Sequence, residues 1–417
     1  MRIVFVVHKF PPESLGGTEI YTHDLAKALG RRHQVWVFYP LERAGQGDDI
    51  LHRDGLHLWR VRVDPRRWER HPLAVFFSTF RSREIEAGFG RFLDQVCPEL
   101  VHFQHVQGGS AALIPMARSR GLPTLMTLHD YWYFCANSQL LRPKGETCMG
   151  PRWGLNCVDC AAVRANLAFL KALRPLVAPL FVYRNAVLRR VLKNVQLFLG
   201  PSHFLMQRYL AWGLPVERLR YLENGINLTR IQSLPRQFSP DGKVRFTYLG
   251  ALAWQKGVHV LIEAFNALRK EVAELHIFGD PRVFPDYAAR LKRLARHPGI
   301  RFRGPLEPHR VGEALAGSNV VVVPSLWFEN SPLVIQEAFA AGAPVIASGQ
   351  GALVEKVRDG VDGLLFRPGD AADLRAKIEQ LMAEPSLLET LRRNILPVKT
   401  MEEHAQELEA IYSRLVK

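Results

Sequence analysis

Residues 320–348 read VVVVPSLWFENSPLVIQEAFAAGAPVIAS. Val320–Pro324 is an apolar run, the pattern of a strand buried on both faces. A turn over Ser325–Asn330 follows. Ser331 and Pro332 are expected to open a helix, with Ser as N-cap and Pro in the first helical position, where its missing N–H costs nothing. Gly342 ends that helix and Ala343–Ser348 is the next strand. The stretch is one strand–helix–strand unit of a parallel α/β fold. Glu329 lies before the helix and Glu337 inside it, with seven residues between them. Free N–H groups and the dipole at a helix start attract phosphate. A carboxylate one turn further in accepts hydrogen bonds from ribose hydroxyls. The plainer reading is a capped helix with two surface glutamates.

The flanking residues narrow the choice. Trp327, Asn330-Ser331-Pro332 and Ala340-Ala341-Gly342-Ala343-Pro344-Val345 surround the two glutamates. With them, the stretch resembles the donor-binding motif of the family 4 retaining glycosyltransferases. The resemblance implies the GT-B fold: two Rossmann-like domains facing each other across a cleft, with a C-terminal helix returning to the first. It also implies that Glu337 binds the donor ribose. Glu329 is then expected to hold a donor-sugar hydroxyl or to support positive charge at the anomeric carbon. The N–H groups around Asn330, Ser331, Pro332, Leu333 and Val334 are expected to face the diphosphate.

The chain has 417 residues, enough for two domains. Its formal charge is +15, of which residues 1–223 carry +12 and residues 224–417 carry +3. A basic first half suits an anionic membrane surface, an acidic acceptor or nucleic acid. Nucleic acid is set aside because no reader motif is present. Met1-Arg2 runs straight into Ile3–Val7, too short an apolar run for a signal segment. No run of about 18 apolar residues appears, so no spanning helix is expected. The expected location is cytoplasmic, peripheral on the inner face of the cell membrane.

Ile3–Val7 is a first buried strand, and Gly16-Gly17 sits in the turn before a helix over Thr18–Leu29 that Thr18 is expected to cap. Glycine there lets backbone approach a ligand. By resemblance, Gly16 and Gly17 lie near the donor diphosphate and the acceptor. Strands are expected over 34–39 and 56–63, with a loop between. No Gly-x-Gly-x-x-Gly fingerprint occurs, which counts against a dinucleotide oxidoreductase. Thr124–Leu128 is a strand ending in His129-Asp130-Tyr131-Trp132. A His at the C-terminal end of a parallel strand points where such sheets place their chemistry. The order strand–His–Asp–aromatic resembles a family 4 pattern in which the His contacts the donor sugar.

Cys135, Cys148, Cys157 and Cys160 follow, with twelve, eight and two residues between them. Cys157-Val158-Asp159-Cys160 has knuckle spacing, and four thiolates complete a tetrahedral set. A structural zinc is the expected occupant; four free thiols and an iron–sulfur cluster remain as alternatives. Some family 4 members have a similar insertion. Cys97 stands apart.

Residues 164–193 are apolar with basic punctuation, and Pro175 and Pro179 are expected to break the segment. With the Arg–aromatic mixture over 59–92 it suits either helices packed on the first domain or a surface lying on an anionic membrane. Residues 228–243 read as the linker. The N-terminal, acceptor-side domain is assigned to 1–230, including the Cys-rich loop 135–160 and the basic segment 164–193. The donor domain is assigned to 231–398 and the returning helix to 399–417.

In the second half, Lys256 at a loop-to-helix junction is a flexible point charge suited to phosphate. The family usually has an Arg where this chain has Ala251. By resemblance, the loops at Gly279 and Gly304 approach the nucleotide base, and Gly360–Phe366 matches a further family segment. The implied activity is transfer of a sugar, with retention, from a UDP-, GDP- or ADP-sugar to a glycan or lipid-linked acceptor in cell-surface polysaccharide or glycolipid assembly. His129, Glu329 and Lys256 are the implied catalytic residues. No Asp-x-Asp appears, so no metal cofactor is expected for transfer. A non-catalytic nucleotide-sugar-binding scaffold of the same fold is the alternative.

Overall fold

The structure, a computed structural model, describes residues 1–45, 47–231, 243–269 and 273–416. It divides into two units, Met1–Gly225 with Met401–Lys417, and Ile226–Thr400. The linker read over 228–243 lies, from 232 to 242, outside the described residues.

The first unit carries β1 (Arg2–Val6), β2 (Gln34–Glu42), β3 (Asp48–Arg53), β4 (Leu56–Val63), β5 (Leu100–Phe103), β6 (Thr124–Thr127), β7 (Leu197–Gly200) and β8 (Leu219–Tyr221). Among the described residues these form one sheet in the order β3-β4-β2-β1-β5-β6-β7-β8. All neighbours are parallel except β3 and β4. The inner strands are short apolar runs, and β5 and β6 are buried along their whole length. Helices α1 (Gly17–Gly30), α2 (Pro72–Ser78), α3 (Arg83–Val96), α4 (Leu113–Ser119), α5 (Leu155–Arg164), α6 (Arg174–Leu192) and α7 (His203–Trp212) belong to this unit.

Three local expectations are corrected here. Thr18 does not cap α1. The N-cap is Gly16, without a side-chain bond, and Thr18 lies inside the first turn, its carbonyl accepting the Thr22 hydroxyl. The loop expected between residues 39 and 56 contains β3, an edge strand of mostly polar residues that pairs antiparallel with β4. Asp54 and Gly55 both have positive φ, the geometry of a tight hairpin turn. Pro175 and Pro179 do not break the basic segment: α6 runs for 19 residues with Pro175 near its start and Pro179 inside. Pro175 is in the first turn, where its missing N–H costs nothing, and Pro179 forgoes one backbone bond, to Pro175 O, without ending the helix.

The second unit carries β9 (Val244–Leu249), β10 (Ala273–Phe278), β11 (Ile300–Gly304), β12 (Val320–Val323), β13 (Val345–Ser348) and β14 (Gly363–Phe366). They form a parallel sheet in the order β11-β10-β9-β12-β13-β14. Its helices are α8 (Val258–Asn266), α9 (Pro285–Leu294), α10 (Val311–Ala316), α11 (Leu333–Ala340), α12 (Leu353–Lys356), α13 (Ala371–Ala383) and α14 (Pro385–Arg393). Apolar layers cover both faces of the sheet. Phe246, Val260 and Ile277 belong to one, and Val321, Ile335 and Val345 to the other. Strand order leaves β9 adjacent to β12, the reversal point at which ligands bind in open α/β sheets.

The last helix, α15 (Met401–Val416), belongs to the first unit and packs on α1. Its His404 Nε2 lies 2.6 Å from the Tyr21 hydroxyl, and its Tyr412 hydroxyl 2.7 Å from His102 Nδ1. Arg32 and His33 pair with Glu409, and Arg32 also pairs with Glu402. Two parallel-sheet α/β units with a C-terminal helix on the first are the GT-B fold.

Candidate functional site

The candidate residues fall into two groups, one in each unit. In the second unit they gather at the carboxyl ends of β9 and β12. Glu329 is buried, 4% exposed. Its Oε1 accepts from Lys256 Nζ at 2.7 Å, Ser325 Oγ at 2.6 Å and Trp327 Nε1 at 2.8 Å. Lys256 Nζ also lies 5.1 Å from the centre of the Trp327 ring, a cation–π distance. Three donors on one oxygen, one of them a cation, make the buried carboxylate tolerable.

The backbone explains how Lys256 reaches Glu329. Residues 254–256 form a single 3-10 turn closed by Gly257 at φ +70°. A Cβ on Gly257 would lie 1.8 Å from the Pro324 carbonyl oxygen. Only glycine combines that φ with that approach. Beside it, Leu326 N–H donates to Gln255 O at 2.8 Å, locking the Lys256 turn onto the loop after β12. Gln350 Nε2 donates to Ser325 O at 2.8 Å and braces the same loop.

The start of α11 differs from expectation. Pro332 is the N-cap, with ψ 116°, and the helix begins at Leu333. The ring fixes φ near −68° but leaves ψ extended, so Pro332 precedes the helix. Ser331 therefore does not cap it; its Oγ is buried and accepts and donates no hydrogen bond. Ile335 N–H bonds back to Pro332 O, while the N–H groups of Leu333 and Val334 have no hydrogen-bond partner among the described residues. Those two amides and the Ser331 hydroxyl form an uncommitted donor set beside the Lys256–Glu329 pair. Glu337, half-buried, is the fifth residue of α11. Ala251 is exposed, and its carbonyl accepts the Tyr248 hydroxyl at 2.7 Å. Gly279 packs its Cα against the Gly250 carbonyl, where a Cβ would come within 2.5 Å.

In the first unit, β1, β5 and β6 are adjacent and end level with one another. Their carboxyl ends deliver His8, Gln104-His105 and His129-Asp130 to one edge. His129 Nε2 lies 2.7 Å from Gln104 Oε1, so the ring donates through Nε2, and it packs edge-on to Tyr21. Burial, with His105 next in order, pushes His129 down to about 3 and keeps the ring neutral. His105 Nε2 lies 3.1 Å from Asp130 Oδ2, and its Nδ1 accepts Gln107 N–H. Those partners fix its tautomer with the proton on Nε2. His8 packs against His105 with the ring centres 4.7 Å apart and the planes tilted by 58°, and burial holds its pKa well below the usual value.

Gly16 lies at the start of α1, where a Cβ would meet Glu19 Oε2 at 2.4 Å. The glycine thus clears room for Glu19, a buried carboxylate that accepts the Ser14 hydroxyl and lies 3.5 Å from His8 Nε2. At Gly17 a Cβ would meet nothing. Glu19, Gln104, His105, Ser325 and Gln350 were not singled out from the sequence. A carboxylate in the first helical turn after Gly-Gly was the available signal for Glu19. A second His at the end of a neighbouring strand was the signal for His105.

Cys135, Cys148, Cys157 and Cys160 all lie in the segment between β6 and α6, while Cys97 ends α3 and is exposed. Among the described residues no three His, Cys, Asp or Glu side chains are gathered so as to hold a metal as they stand. None of the described helices is long and apolar enough to cross a membrane.

Comparison with known proteins agrees with both units. Residues 15–230 match the family described as Glycosyltransferase Family 4, and residues 243–384 the family described as Glycosyl transferases group 1. An uncharacterized glycosyltransferase of Methanocaldococcus jannaschii is 24% identical over 414 residues, spanning 94% of this chain and 92% of that protein. A D-inositol 3-phosphate glycosyltransferase of Geodermatophilus obscurus is 36% identical over 185 residues, 42% of this chain and 41% of that one. Sucrose-phosphate synthase of Thermosynechococcus elongatus has the same fold, with TM-score 0.73 and 20% identity over 99% of this chain and 98% of its own. So does Anabaena HepE, solved with UDP and glucose, with TM-score 0.69 and 18% identity over 99% of this chain and 100% of its own. With family matches running across both α/β units, the chain belongs to glycosyltransferase family 4 and is a glycosyltransferase.

Proposed function

We propose that the protein transfers a sugar, with retention and without a metal ion, from a nucleoside diphosphate sugar to a glycan or lipid-linked acceptor. The observation that carries this reading is the Lys256–Glu329 pair at 2.7 Å on the loop that leads to the Leu333 and Val334 amides, which have no partner among the described residues. A mobile cation, two amides and a hydroxyl make a cradle for a diphosphate.

In this account Lys256 moves from Glu329 to the diphosphate when donor binds. Glu329 keeps Ser325 and Trp327 and turns its other oxygen to a donor-sugar hydroxyl, or to the positive charge that develops at the anomeric carbon. Asn330, Ser331 and Pro332 shape the cradle, Glu337 holds the ribose and the loop at Gly279 meets the base. The resemblance to family 4 assigns the donor sugar to His129, which is neutral and donates to Gln104, and the diphosphate and acceptor to Gly16 and Gly17. The bond from the anomeric carbon to the diphosphate oxygen breaks with its electron pair leaving on that oxygen. The acceptor hydroxyl adds on the same face and passes its proton to the departing phosphate oxygen. Lys256 and the amides stabilise the charge that accumulates.

UDP is the first nucleotide to test, since HepE was solved with UDP, UDP-glucose, and UDP and glucose. A thermal-shift screen against UDP-, GDP- and ADP-sugars identifies the donor, because a ligand that binds only the folded chain raises its stability. Turnover of that donor, with the anomeric configuration retained in the product by NMR, supports transfer. Binding without turnover in any acceptor mixture would favour a scaffold role instead.

The acceptor side supports a place on the cytoplasmic face of a membrane. Phe77 of α2 lies 6.2 Å from Tyr183 of α6, so the Arg–aromatic and basic segments adjoin. Leu73, Phe77, Leu173, Leu176 and Val182 are exposed there among Arg70, Lys171 and Arg174. Apolar side chains ringed by cations suit anionic lipid. Flotation with anionic but not zwitterionic vesicles at low salt is expected; no flotation with either removes the membrane from the account.

A further inference from the structure

His129 lies just past β6, and the residue that meets it lies just past β5. Extending the register of those two strands sets Gln104 level with Thr127, so Gln104, Thr127 and His129 share one face of the sheet. Tyr21 of α1 and Tyr412 of α15 pack on that face, Tyr21 edge-on to His129 and Tyr412 bonded to His102. Gln104 N–H donates to Val6 O at 2.8 Å, which pins its backbone to β1. Its side chain is fully buried, and its Oε1 stands 2.7 Å from His129 Nε2. An amide oxygen only accepts, so the ring carries a proton on Nε2. The other end of the amide, Nε2 of Gln104, is buried with no hydrogen-bond partner among the described residues. A buried amide nitrogen left unpaired works against stability. Gln104 is thus a poor device for holding the fold and a good one for holding the His129 ring.

The neighbours show why an amide matters here. The titratable groups around the ring are Tyr21 of α1, His404 of α15, His8 past β1, His102 in β5, His105 just past it, and Asp130. Asp130 is the carboxylate of this set, and its oxygens serve His105 Nε2 at 3.1 Å and Trp132 N–H at 2.8 Å. A carboxylate in the place of the Gln104 amide would draw a second proton onto the imidazole, as the partner of an acid–base histidine does. An amide oxygen fixes the same tautomer and adds no charge.

We propose that Gln104 is a positioning residue for transfer: it holds His129 as the neutral Nε2–H tautomer and sets the angle at which the ring meets the donor sugar. The proposal rests on the donor-sugar reading of His129. His129 then serves as a fixed, uncharged hydrogen-bonding group. The proton of the acceptor hydroxyl goes to the departing phosphate oxygen and does not pass through the ring.

NMR of the full chain with isotope-labelled histidine reads the tautomer, because the two ring nitrogens of a neutral imidazole give separate signals, and His129→Gln identifies those of His129. In wild type without ligand, a proton on Nε2 and a neutral ring are expected from about pH 8 to 5. Gln104→Leu removes the acceptor. Both tautomers should then appear, and single-turnover transfer should fall roughly tenfold or more with nucleoside diphosphate affinity unchanged. Gln104→Glu keeps an acceptor but adds charge. The ring should then take its second proton within that pH range, and the pH profile of transfer should gain a step that wild type lacks. A purely structural Gln104 would change melting and leave the tautomer and the pH profile as they are.

A wild-type ring protonated on Nδ1, or charged at neutral pH, overturns the proposal whether or not donor is turned over. A tautomer change in Gln104→Leu with transfer at the wild-type rate also overturns it, and removes His129 from the donor sugar. If Gln104→Leu does not fold, the wild-type tautomer and the Gln104→Glu profile decide. Wild-type chain that transfers from no nucleotide sugar would remove the proposed function and the role in transfer together, while the tautomer measurement still decides the Gln104–His129 relationship.

Discussion

Lys256 Nζ and Glu329 Oε1 are 2.7 Å apart, joined across 73 residues by two loops that meet beside Gly257. Glu329 is buried, so Lys256 is both its counter-ion and, on the proposed reading, the ligand of the diphosphate. Removing either partner alone should cost more than removing both. Lys256→Ala leaves a buried carboxylate with two neutral donors, and a loss of about 1–3 kcal/mol is expected. Adding Glu329→Gln should restore at least half of it, since contacting charges couple by about 0.5–3 kcal/mol. Denaturant midpoints of the two single variants and the double variant measure this. Additive losses would mean that the pair is not coupled.

Gly257 is the residue that makes the meeting of those loops possible. Gly257→Ala places a Cβ 1.8 Å from the Pro324 carbonyl oxygen at φ +70°. The loops must separate, and both the Gln255–Leu326 backbone bond and the Lys256–Glu329 pair go with them. A loss of more than about 2 kcal/mol is expected, together with weaker donor binding. Gly17→Ala is the control for stability alone, because a Cβ there meets nothing within 4 Å. Similar melting curves for Gly257→Ala and wild type would contradict the packing argument.

Buried neutral histidines set a direction for pH. His129 is pushed down to about 3 and His276 to about 4, and His8 and His102 are also held well below 6.5, in each case chiefly by burial. In the unfolded chain these rings protonate near 6.5. Between that value and the folded pKa the unfolded state holds more protons, so stability falls as pH falls. For a fully buried ring such as His129 the slope is about 1.4 kcal/mol per pH unit below 6.5. Melting curves from pH 8 to 5 should show stability level at the top and declining below about 6.5. His129→Gln should make the decline shallower. A stability maximum near pH 5 would contradict neutral buried rings.

Much of this architecture was legible from residue pattern. The apolar runs at β1 and β12 are buried strands, as their sequence suggests. Long-range and local details escaped for different reasons. β3 was missed because an edge strand needs no apolar alternation, although Asp54-Gly55 was a hairpin signal. The start of α11 moved because Pro332 constrains φ but not ψ. The Lys256–Glu329 pair depends on a backbone contact between residues far apart in sequence, which no local pattern encodes. The same holds for Tyr21, whose neighbours His129 and His404 come from β6 and from the last helix.

On the proposed function, Lys256 holds the donor diphosphate. The direct measurement is calorimetric donor binding and single-turnover transfer by Lys256→Ala, using the nucleotide sugar that stabilises the wild-type chain most. Transfer should fall by at least about a hundredfold, as loss of a preorganised charge at a leaving group does. Binding of the nucleoside diphosphate should weaken, while binding of the nucleoside alone should not change. Near-wild-type transfer and unchanged diphosphate affinity in a folded Lys256→Ala variant would contradict the account.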